Sequence, residues 1–275
     1  MLSCLTPEDI ARPSAAEVRE VLVQYKNDLR NKATRPDNQS GLFSKEEILN
    51  TLQHTINTLS TPLLADEGKG WFADDMTPPV GDDKHKLRKQ WYASYNRGVT
   101  GVMYLLAQAK KAGLDVDVTC PYVDKALELV KLKYINRLAK ASGGLHYAAD
   151  GIAAVLALSV RHGLIEASEE HLDWIDKLLD KNSDFHNMIG GVAGQGMANM
   201  VCMAFISPAT LRDRLERYAK FLSDKQEANG SWTNGFVKKK YRRRKVKKVN
   251  PGFAFGMAGT IYFLLSWKNV TLTLE

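Results

Sequence analysis

The chain has 275 residues, of which 44% are hydrophobic, so it can bury a sizeable core as one large domain or two small ones. Its net charge is +7, and its three cysteines form no C-x-x-C pair. No apolar run reaches the roughly 18 residues that a membrane span needs. The first residues mix charged and apolar side chains, which a signal peptide does not, and a cytoplasmic protein with reduced thiols is therefore expected.

Amphipathic helices are predicted along most of the chain. The first covers residues 15–33, and a capping box at Ser44 and Glu47 opens the second, which ends near residue 59. Residues 60–90 contain several prolines and glycines and should form a long irregular segment. Further amphipathic helices are predicted at residues 121–139, 168–179 and 208–225, the fourth of the five being capped by Ser168.

A second kind of helix alternates with the amphipathic ones. A glycine step followed by an almost wholly apolar run occurs four times, and its second glycine falls at Gly101, Gly151, Gly194 and Gly259. The copies are 50, 43 and 65 residues apart, which is the length of two helices with their loops. The apolar runs have no sustained polar face, so these helices should be buried on all sides.

The alternation of these two helix types predicts an all-α fold. We expect an α/α toroid, here a partial double ring of helical hairpins, with the glycine helices inside and the amphipathic helices outside. All inner helices should begin on one face, where exposed N–H groups would suit anions or polarised carbonyls. Residues 1–44 are expected to form an N-terminal helical segment, and residues 45–275 the toroid domain with a basic loop at 238–248.

That basic loop accounts for the positive charge of the chain. Nine basic residues lie between Lys238 and Lys248, and without them 29 basic residues stand against 31 acidic ones. Such a run could bind nucleic acid, an anionic membrane or an acidic peptide. Its single aromatic residue, Tyr241, offers little stacking for nucleic acid, which is therefore not expected. A solvated insertion with no binding role would explain the run equally well.

Several motifs resemble those of the lanthionine synthetase C-like family. The stretch from Gly144 to Ile152 resembles the repeated family motif Gly-Leu-x-His-Gly-x-x-Gly-Ile, and residues 251–265 are similar to its terminal Pro-Gly-Phe-x-x-Gly-x-Ala-Gly-Ile motif. The likeness covers about residues 45–275. It implies a cyclase that closes thioether rings by adding Cys thiols of a precursor peptide to dehydroalanine or dehydrobutyrine. A full family toroid has about seven inner helices and this chain shows four, so a second copy or further N-terminal domains should cover the open ring.

The chain departs from the family at the metal ligands. Members that hold zinc do so through a cysteine in Trp-Cys-x-Gly and a Cys-His pair, whereas this chain has Thr233 in the first motif and no Cys-His pair. Zinc requires about three protein donors. The resemblance therefore implies a zinc-independent member without a cofactor, closest to the cyclase domain of class III lanthipeptide synthetases.

The candidate catalytic residues precede or begin the inner helices. Because the thiol must lose its proton without a metal, His146 is the expected base and Tyr147 the acid, with Asp150 beside them. Arg97 would stabilise the enolate, and His186 is a second candidate base at the equivalent place in the next repeat. The plain alternative for His146 and Tyr147 is capping and packing, and for His186 it is a place at a polar loop tip.

Eight further residues are candidates for binding the peptide. Some lie on the loops that precede the inner helices, and others lie in or just after the glutamine-tryptophan motif that starts at Gln226. The rest lie in the basic loop, which would hold an acidic leader. In terpene cyclases that motif is structural, with the glutamine tying a helix end and the tryptophan stacking on it. The residues are Tyr95, Asn96, Asn187, Trp232, Asn234, Phe255, Lys239 and Arg243.

Two other functions compete with the cyclase. A toroid that has lost its chemistry could still bind a peptide or an acidic partner protein in its cavity. A terpene-cyclase-like enzyme is disfavoured because no Asp-x-Asp-Asp run is present to ionise a prenyl diphosphate.

Overall fold

The computed structural model describes residues 44–74, 88–237 and 246–274, together with positions 19, 20, 23, 24, 26 and 27. The chain divides into two compact units, residues 1–48 and 49–275. In the first unit the six isolated positions are helical and fall within the helix predicted at 15–33. The predicted capping box is confirmed, because Ser44 N donates to Glu47 Oε2 at 2.6 Å and Glu47 N donates to Ser44 Oγ at 3.1 Å.

Eight α-helices have complete bounds within the described residues. They are α1 Lys45–Thr58, α2 Val99–Lys111, α3 Cys120–Lys133, α4 Ala149–Arg161, α5 Glu169–Leu178, α6 Val192–Val201, α7 Pro208–Asp224 and α8 Met257–Leu274. Short 3-10 turns lie at Asp117–Thr119, Ile135–Lys140 and Met203–Phe205. None of the helices in the described part of the chain is long and apolar enough to cross a membrane.

Strands are few and short. Six strands within the described residues pair as three antiparallel ladders of two strands each, with Ala65 opposite Trp71, Ala73 opposite Gln90 and Thr233 opposite Val249. No described ladder is large enough to form a layer of the fold, so the predicted all-α class is confirmed. The strands are β1 Ala65–Asp66, β2 Gly70–Trp71, β3 Ala73–Asp74, β4 Lys89–Gln90, β5 Thr233–Val237 and β6 Val246–Val249.

The helices of the second unit form the predicted partial double ring. Helices α2, α4, α6 and α8 pack one on the next, while α3 packs on α2, α5 on α4, and α7 on both α6 and α8. The outer helix α7 buries a single stripe at helical spacing, namely Leu211, Leu215, Tyr218 and Leu222. Inner helix α4 is instead buried along almost its whole length, because it is enclosed between neighbours on both sides.

Small residues let the inner helices approach one another closely. The ring of Phe263 in α8 lies over Gly196 in α6, where a Cβ atom would overlap it. Phe263 is consequently inaccessible to solvent. The glycine content of the inner helices therefore follows from their packing.

The loops before the four inner helices share one hydrogen-bond pattern. The first N–H group of each inner helix donates to the carbonyl group seven residues earlier in the chain. These donor and acceptor pairs are Val99 with Tyr92, Ala149 with Ser142, Val192 with Phe185, and Met257 with Asn250. The prediction that these N–H groups are exposed and available to an anion is therefore wrong, since each loop satisfies the start of its own helix.

Main-chain hydrogen bonds also join one loop to the next. Asn96 N donates to His146 O at 2.9 Å, His146 N to Ile189 O at 2.9 Å, and Ile189 N to Ala254 O at 3.1 Å. The four residues occupy the same position in their repeats, two before the first residue of the glycine step. The four loops thus form one continuous strip on one face, as the repeat alignment predicts.

Candidate functional site

Five of the predicted site residues meet on the loops that precede α2 and α4. We call them the loop cluster: Tyr95, Asn96, Arg97, His146 and Tyr147. Asn96 Nδ2 donates to the Tyr147 hydroxyl oxygen at 2.6 Å, and the guanidinium carbon of Arg97 lies 4.8 Å from the centre of the Tyr147 ring. The repeat brings together residues that are about 50 positions apart in the chain, and the main-chain bond from Asn96 to His146 holds the two loops in register.

His146 lies between two tyrosine rings. Its ring centroid is 5.7 Å from that of Tyr95, edge to face, and 6.4 Å from that of Tyr147. The imidazole is half-buried, and this burial lowers the pKa of His146 below its ordinary 6.5. The ring is therefore neutral at pH 7 and able to accept a proton.

Tyr147 has the surroundings of a proton donor. Its hydroxyl oxygen accepts from Asn96, which leaves its own O–H free to point elsewhere. The guanidinium group of Arg97 lies over the face of the ring. The Tyr134 hydroxyl donates to the Tyr147 carbonyl at 3.2 Å and fixes the loop from the outer side. The Tyr147 side chain is 41% exposed, so a peptide can reach it.

Asp150 is completely buried at the start of α4. Its carboxylate accepts from Gly144 N at 2.8 Å, from Asp180 N at 3.3 Å and from Gln195 Nε2 at 3.2 Å. Burial raises the pKa of Asp150 to about 7, although the three donors act in the opposite direction. Protein groups thus enclose the carboxylate, which is held on the loop of His146 through Gly144 N and has no exposure to solvent.

His186, Asn187 and Trp232 lie in the interior. His186 Nδ1 is 3.0 Å from Thr260 Oγ1, and the imidazole stacks on Trp232 with ring centroids 6.5 Å apart. The indole N–H of Trp232 donates to the carbonyl of Leu222 at 2.8 Å, and the Asn187 side-chain oxygen accepts from Gly190 N at 3.0 Å. The structure therefore does not bring these three side chains to the surface with the loop cluster.

The glutamine-tryptophan motif makes structural contacts. Gln226 Nε2 donates to the carbonyl of Gly230 at 3.0 Å, and the Trp232 indole closes the C-terminal end of α7 through Leu222. These bonds support the structural reading of the motif over a substrate-binding one.

The remaining predicted residues are spread over the end of the chain. Phe255 is 51% exposed on the loop before α8. The main chain of Asn234 lies in β5, opposite Lys248. The side chain of Asn234 lies outside the described residues, as do Lys239 and Arg243.

A cavity of about 720 Å³ adjoins the loop cluster and was not predicted from the sequence. Arg97 and Tyr147 form one wall, and Lys133, Arg137 and Lys140 line another. We call it the basic cavity. A helix was predicted through residue 139, but α3 ends at Lys133 and a 3-10 turn follows, in which Arg137 has non-helical angles (φ −137°, ψ 27°). The only indication of this wall in the sequence was the spacing of Lys133, Arg137 and Lys140, which are four and three residues apart.

The side chains present do not fit a zinc ion. No three His, Cys, Asp or Glu side chains converge anywhere in the described residues. The hydroxyl of Thr233, the residue found in place of the expected cysteine in the sequence analysis, donates to Glu227 Oε1 at 3.3 Å. Cys202 is fully buried, which raises the pKa of its thiol, and Cys120 is exposed on α3.

Comparison with protein-family models gives a match. The family model described as lanthionine synthetase C-like protein matches residues 89–275, which is more than half of the chain. The matched range starts at β4 and contains all four glycine steps, the loop cluster and the basic cavity. No curated protein matches the chain.

Proposed function

The chain belongs to the lanthionine synthetase C-like family, and we propose that it is a zinc-independent cyclase that adds the Cys thiols of a precursor peptide to dehydroamino acids. The family indicates a cyclase of the lanthionine synthetase type and a peptide substrate. One observation carries the finer proposal. In the loop cluster the Tyr147 phenol has the guanidinium of Arg97 over its ring and the neutral imidazole of His146 beside it, on the face where the inner helices begin.

The first step is removal of the thiol proton. The neutral His146 imidazole takes it, and the thiolate then attacks the β-carbon of dehydroalanine or dehydrobutyrine. A carbon–sulfur bond forms, and the electrons of the double bond move onto the adjoining carbonyl as an enolate. Arg97 stabilises that negative charge.

The second step is protonation of the α-carbon. Tyr147 donates its hydroxyl proton, and the phenolate that remains is stabilised by the hydrogen bond from Asn96 and the cation of Arg97. The imidazolium of His146 then returns its proton to the phenolate through solvent. The thiol has thus added across the double bond, no group has left, and the protein is restored.

Other predicted residues support this reaction from outside the loop cluster. Asp150 holds the loop of His146 in place, and Phe255 offers an exposed apolar contact for the peptide on the neighbouring loop. The interior position of His186 favours a packing role over that of a second base.

The subgroup of the family and the cellular location of the protein are proposed from its possible metal ligands and from its thiols. No group of side chains in the described residues could hold a zinc ion, which supports a relationship with the cyclase domains of class III synthetases. The free thiols of Cys120 and Cys202 agree with a cytoplasmic location. The division into an N-terminal segment at 1–44 and a toroid domain at 45–275 stays a prediction.

A non-catalytic toroid is the second candidate function. The basic cavity favours it, because a cavity lined by cations can hold an acidic peptide or partner protein whether or not a reaction follows. The two functions differ in one outcome, which is the formation of a covalent ring.

The proposal is tested with a peptide that contains one cysteine and one dehydroalanine. Ring closure leaves the mass unchanged and removes the free thiol, so thiol alkylation followed by mass spectrometry measures it. We expect His146→Ala to slow ring closure at least about 100-fold, which is the usual contribution of a general base. The matched control is His162→Ala, which removes the imidazole at the opposite end of the same helix, α4, and should leave the rate unchanged.

Three other results are possible, of which the first contradicts the assignment of His146, the second shows only a loss of fold and the third contradicts the cyclase. Equal rates for the two histidine variants would remove His146 from the mechanism. Equal slowing by both variants would show a loss of fold rather than of a base. A wild-type protein that binds the peptide and never closes the ring would favour the non-catalytic toroid.

A further inference from the structure

The basic cavity carries uncompensated positive charge. Arg97, Lys133, Arg137 and Lys140 line it, and no Asp or Glu is among its lining residues in the described chain. Within the same described part, Lys133, Arg137 and Lys140 form no ion pair. By contrast, Lys131 on the same helix pairs with Glu170 at 2.8 Å. Cations turned to the cavity are thus left unneutralised, while one turned away is paired.

The backbone arranges these cations along one wall. After α3 ends at Lys133, the 3-10 turn Ile135–Lys140 carries Arg137 and Lys140 past the mouth of the cavity. The Tyr134 hydroxyl ties this wall to the carbonyl of Tyr147 at 3.2 Å. The row of positive charge is therefore held against the loop cluster, and Arg97 belongs to both.

Two of the four aromatic residues that line the cavity, Trp91 and Tyr147, have rings that are already engaged. The Trp91 indole N–H donates to Gly70 O at 3.2 Å, and its ring meets the edge of Phe72 and the ammonium group of Lys69 at 4.8 Å. The face of Tyr147 is covered by Arg97. A single-stranded nucleic acid needs free ring faces on which its bases can stack, whereas carboxylates need only the cations. The cavity therefore suits an acidic peptide better than a nucleic acid.

We propose that the basic cavity binds a run of Asp or Glu side chains in the substrate peptide and so presents the reacting part of that peptide to the loop cluster. The cavity volume of about 720 Å³ exceeds what one carboxylate occupies and falls among those of ligand pockets. The inference rests on the proposed function for the role of the peptide as substrate. It assigns acidic recognition to a site separate from the basic run at Lys238–Lys248.

The test is a binding measurement with an unreactive probe. The probe is a fluorescein-labelled peptide of alternating Glu and Gly that lacks Cys and dehydroamino acids, and its anisotropy is followed at low and high salt. We expect the variant Lys133→Ser/Arg137→Ser/Lys140→Ser to bind it about tenfold more weakly at low salt, since exposed charge contacts are individually modest. High salt should reduce the difference.

A control variant removes equal charge elsewhere. Lys111→Ser/Lys177→Ser/Lys220→Ser takes three exposed lysines from other helices and should bind the peptide nearly as the wild type does. Circular dichroism and a thermal melt of both variants show whether they are folded. The single variant Arg137→Gln, which keeps a side chain of similar length, should lie between the wild type and the triple variant.

Four outcomes would overturn the inference. The first is unchanged binding by the cavity variant, and the second is equal weakening by the control. The third is loss of binding only when Lys238–Lys248 are replaced by serine. The fourth is tighter binding of a single-stranded oligonucleotide that is lost in the same cavity variant. Because the probe cannot react, its binding to the basic cavity can be interpreted even if the cyclase assay fails.

Discussion

Asp150 is a buried carboxylate that links several elements at the site. Its buried carboxylate joins the loop at Gly144 to Asp180 and to Gln195 of α6, so it connects two repeats. Burial raises its pKa from 3.8 to about 7. An acid with a raised pKa in the folded state stabilises the protein fully below its unfolded pKa, and that contribution is lost as the pH rises through the folded value.

This shift predicts a pH dependence of stability between about pH 4 and 7. Over that window the free energy of unfolding of the wild type should fall relative to that of Asp150→Asn by on the order of 3 kcal/mol, because the amide cannot ionise. Urea unfolding of the two proteins at several pH values measures the difference. Asp176→Asn, which removes an exposed carboxylate paired with Arg214, is the control and should keep the wild-type slope.

A difference between wild type and Asp150→Asn that is flat across the window would contradict the raised pKa. A difference that grows in the opposite direction would show that the three hydrogen-bond donors outweigh burial. Either result would leave Asp150 as a link between repeats but remove its titration at neutral pH.

The residues of the site were predictable in part. Aligning the repeats placed Arg97 and Tyr147 at equivalent positions and His146 one residue earlier, which was enough to predict that they share a face. The enclosure of Asp150 could not be predicted, because its partners Asp180 and Gln195 come from other elements. The interior position of His186 likewise depends on Thr260, 74 residues away.

At the scale of the elements, the second glycine of each step is required by a carbonyl group of its own loop. A Cβ at Gly101, Gly151, Gly194 or Gly259 would overlap the carbonyl oxygen of the residue six positions earlier. That carbonyl belongs to the loop which crosses the first turn of the inner helix. The glycine therefore sets how tightly each loop folds back on its helix.

This close approach predicts a position-specific cost of adding a methyl group. Gly151→Ala should lower the free energy of unfolding by at least about 2 kcal/mol, because the new methyl collides with the carbonyl of Leu145. Gly190→Ala is the control, since a Cβ there meets nothing within 4 Å, and its effect should stay within about 1 kcal/mol. Thermal and denaturant unfolding measure both, and equal costs would contradict the account of the loops.

Helix ends were the least predictable elements. The apolar spacing up to Ile135 suggested a helix that continues to residue 139. The chain instead leaves the α-helix at Tyr134, whose hydroxyl is bound to the loop of Tyr147. A tertiary contact thus overrides the local pattern, and the same contact creates the wall of the basic cavity.

At the scale of the whole second unit, the double ring was predictable because two independent patterns agree. The repeat spacing gives the number of hairpins. The contrast between amphipathic and wholly apolar helices shows which helices belong to the outer ring and which to the inner ring. The ladders from β1 to β4 were not predictable, since strands of two residues have no alternating pattern to detect. The basic residues 238–245 lie outside the described residues, so the capture of a leader by that run stays a proposal.

The central claim is that a side-chain base, and not a metal ion, activates the thiol for ring closure. The most direct measurement is the rate of thioether formation by the wild type after exhaustive dialysis against a chelator, with metal content determined by mass spectrometry of the same sample. The account predicts an unchanged rate in the metal-free protein and at least about a 100-fold lower rate in metal-free His146→Ala. Loss of ring closure on chelation, with recovery on adding back zinc, would contradict it.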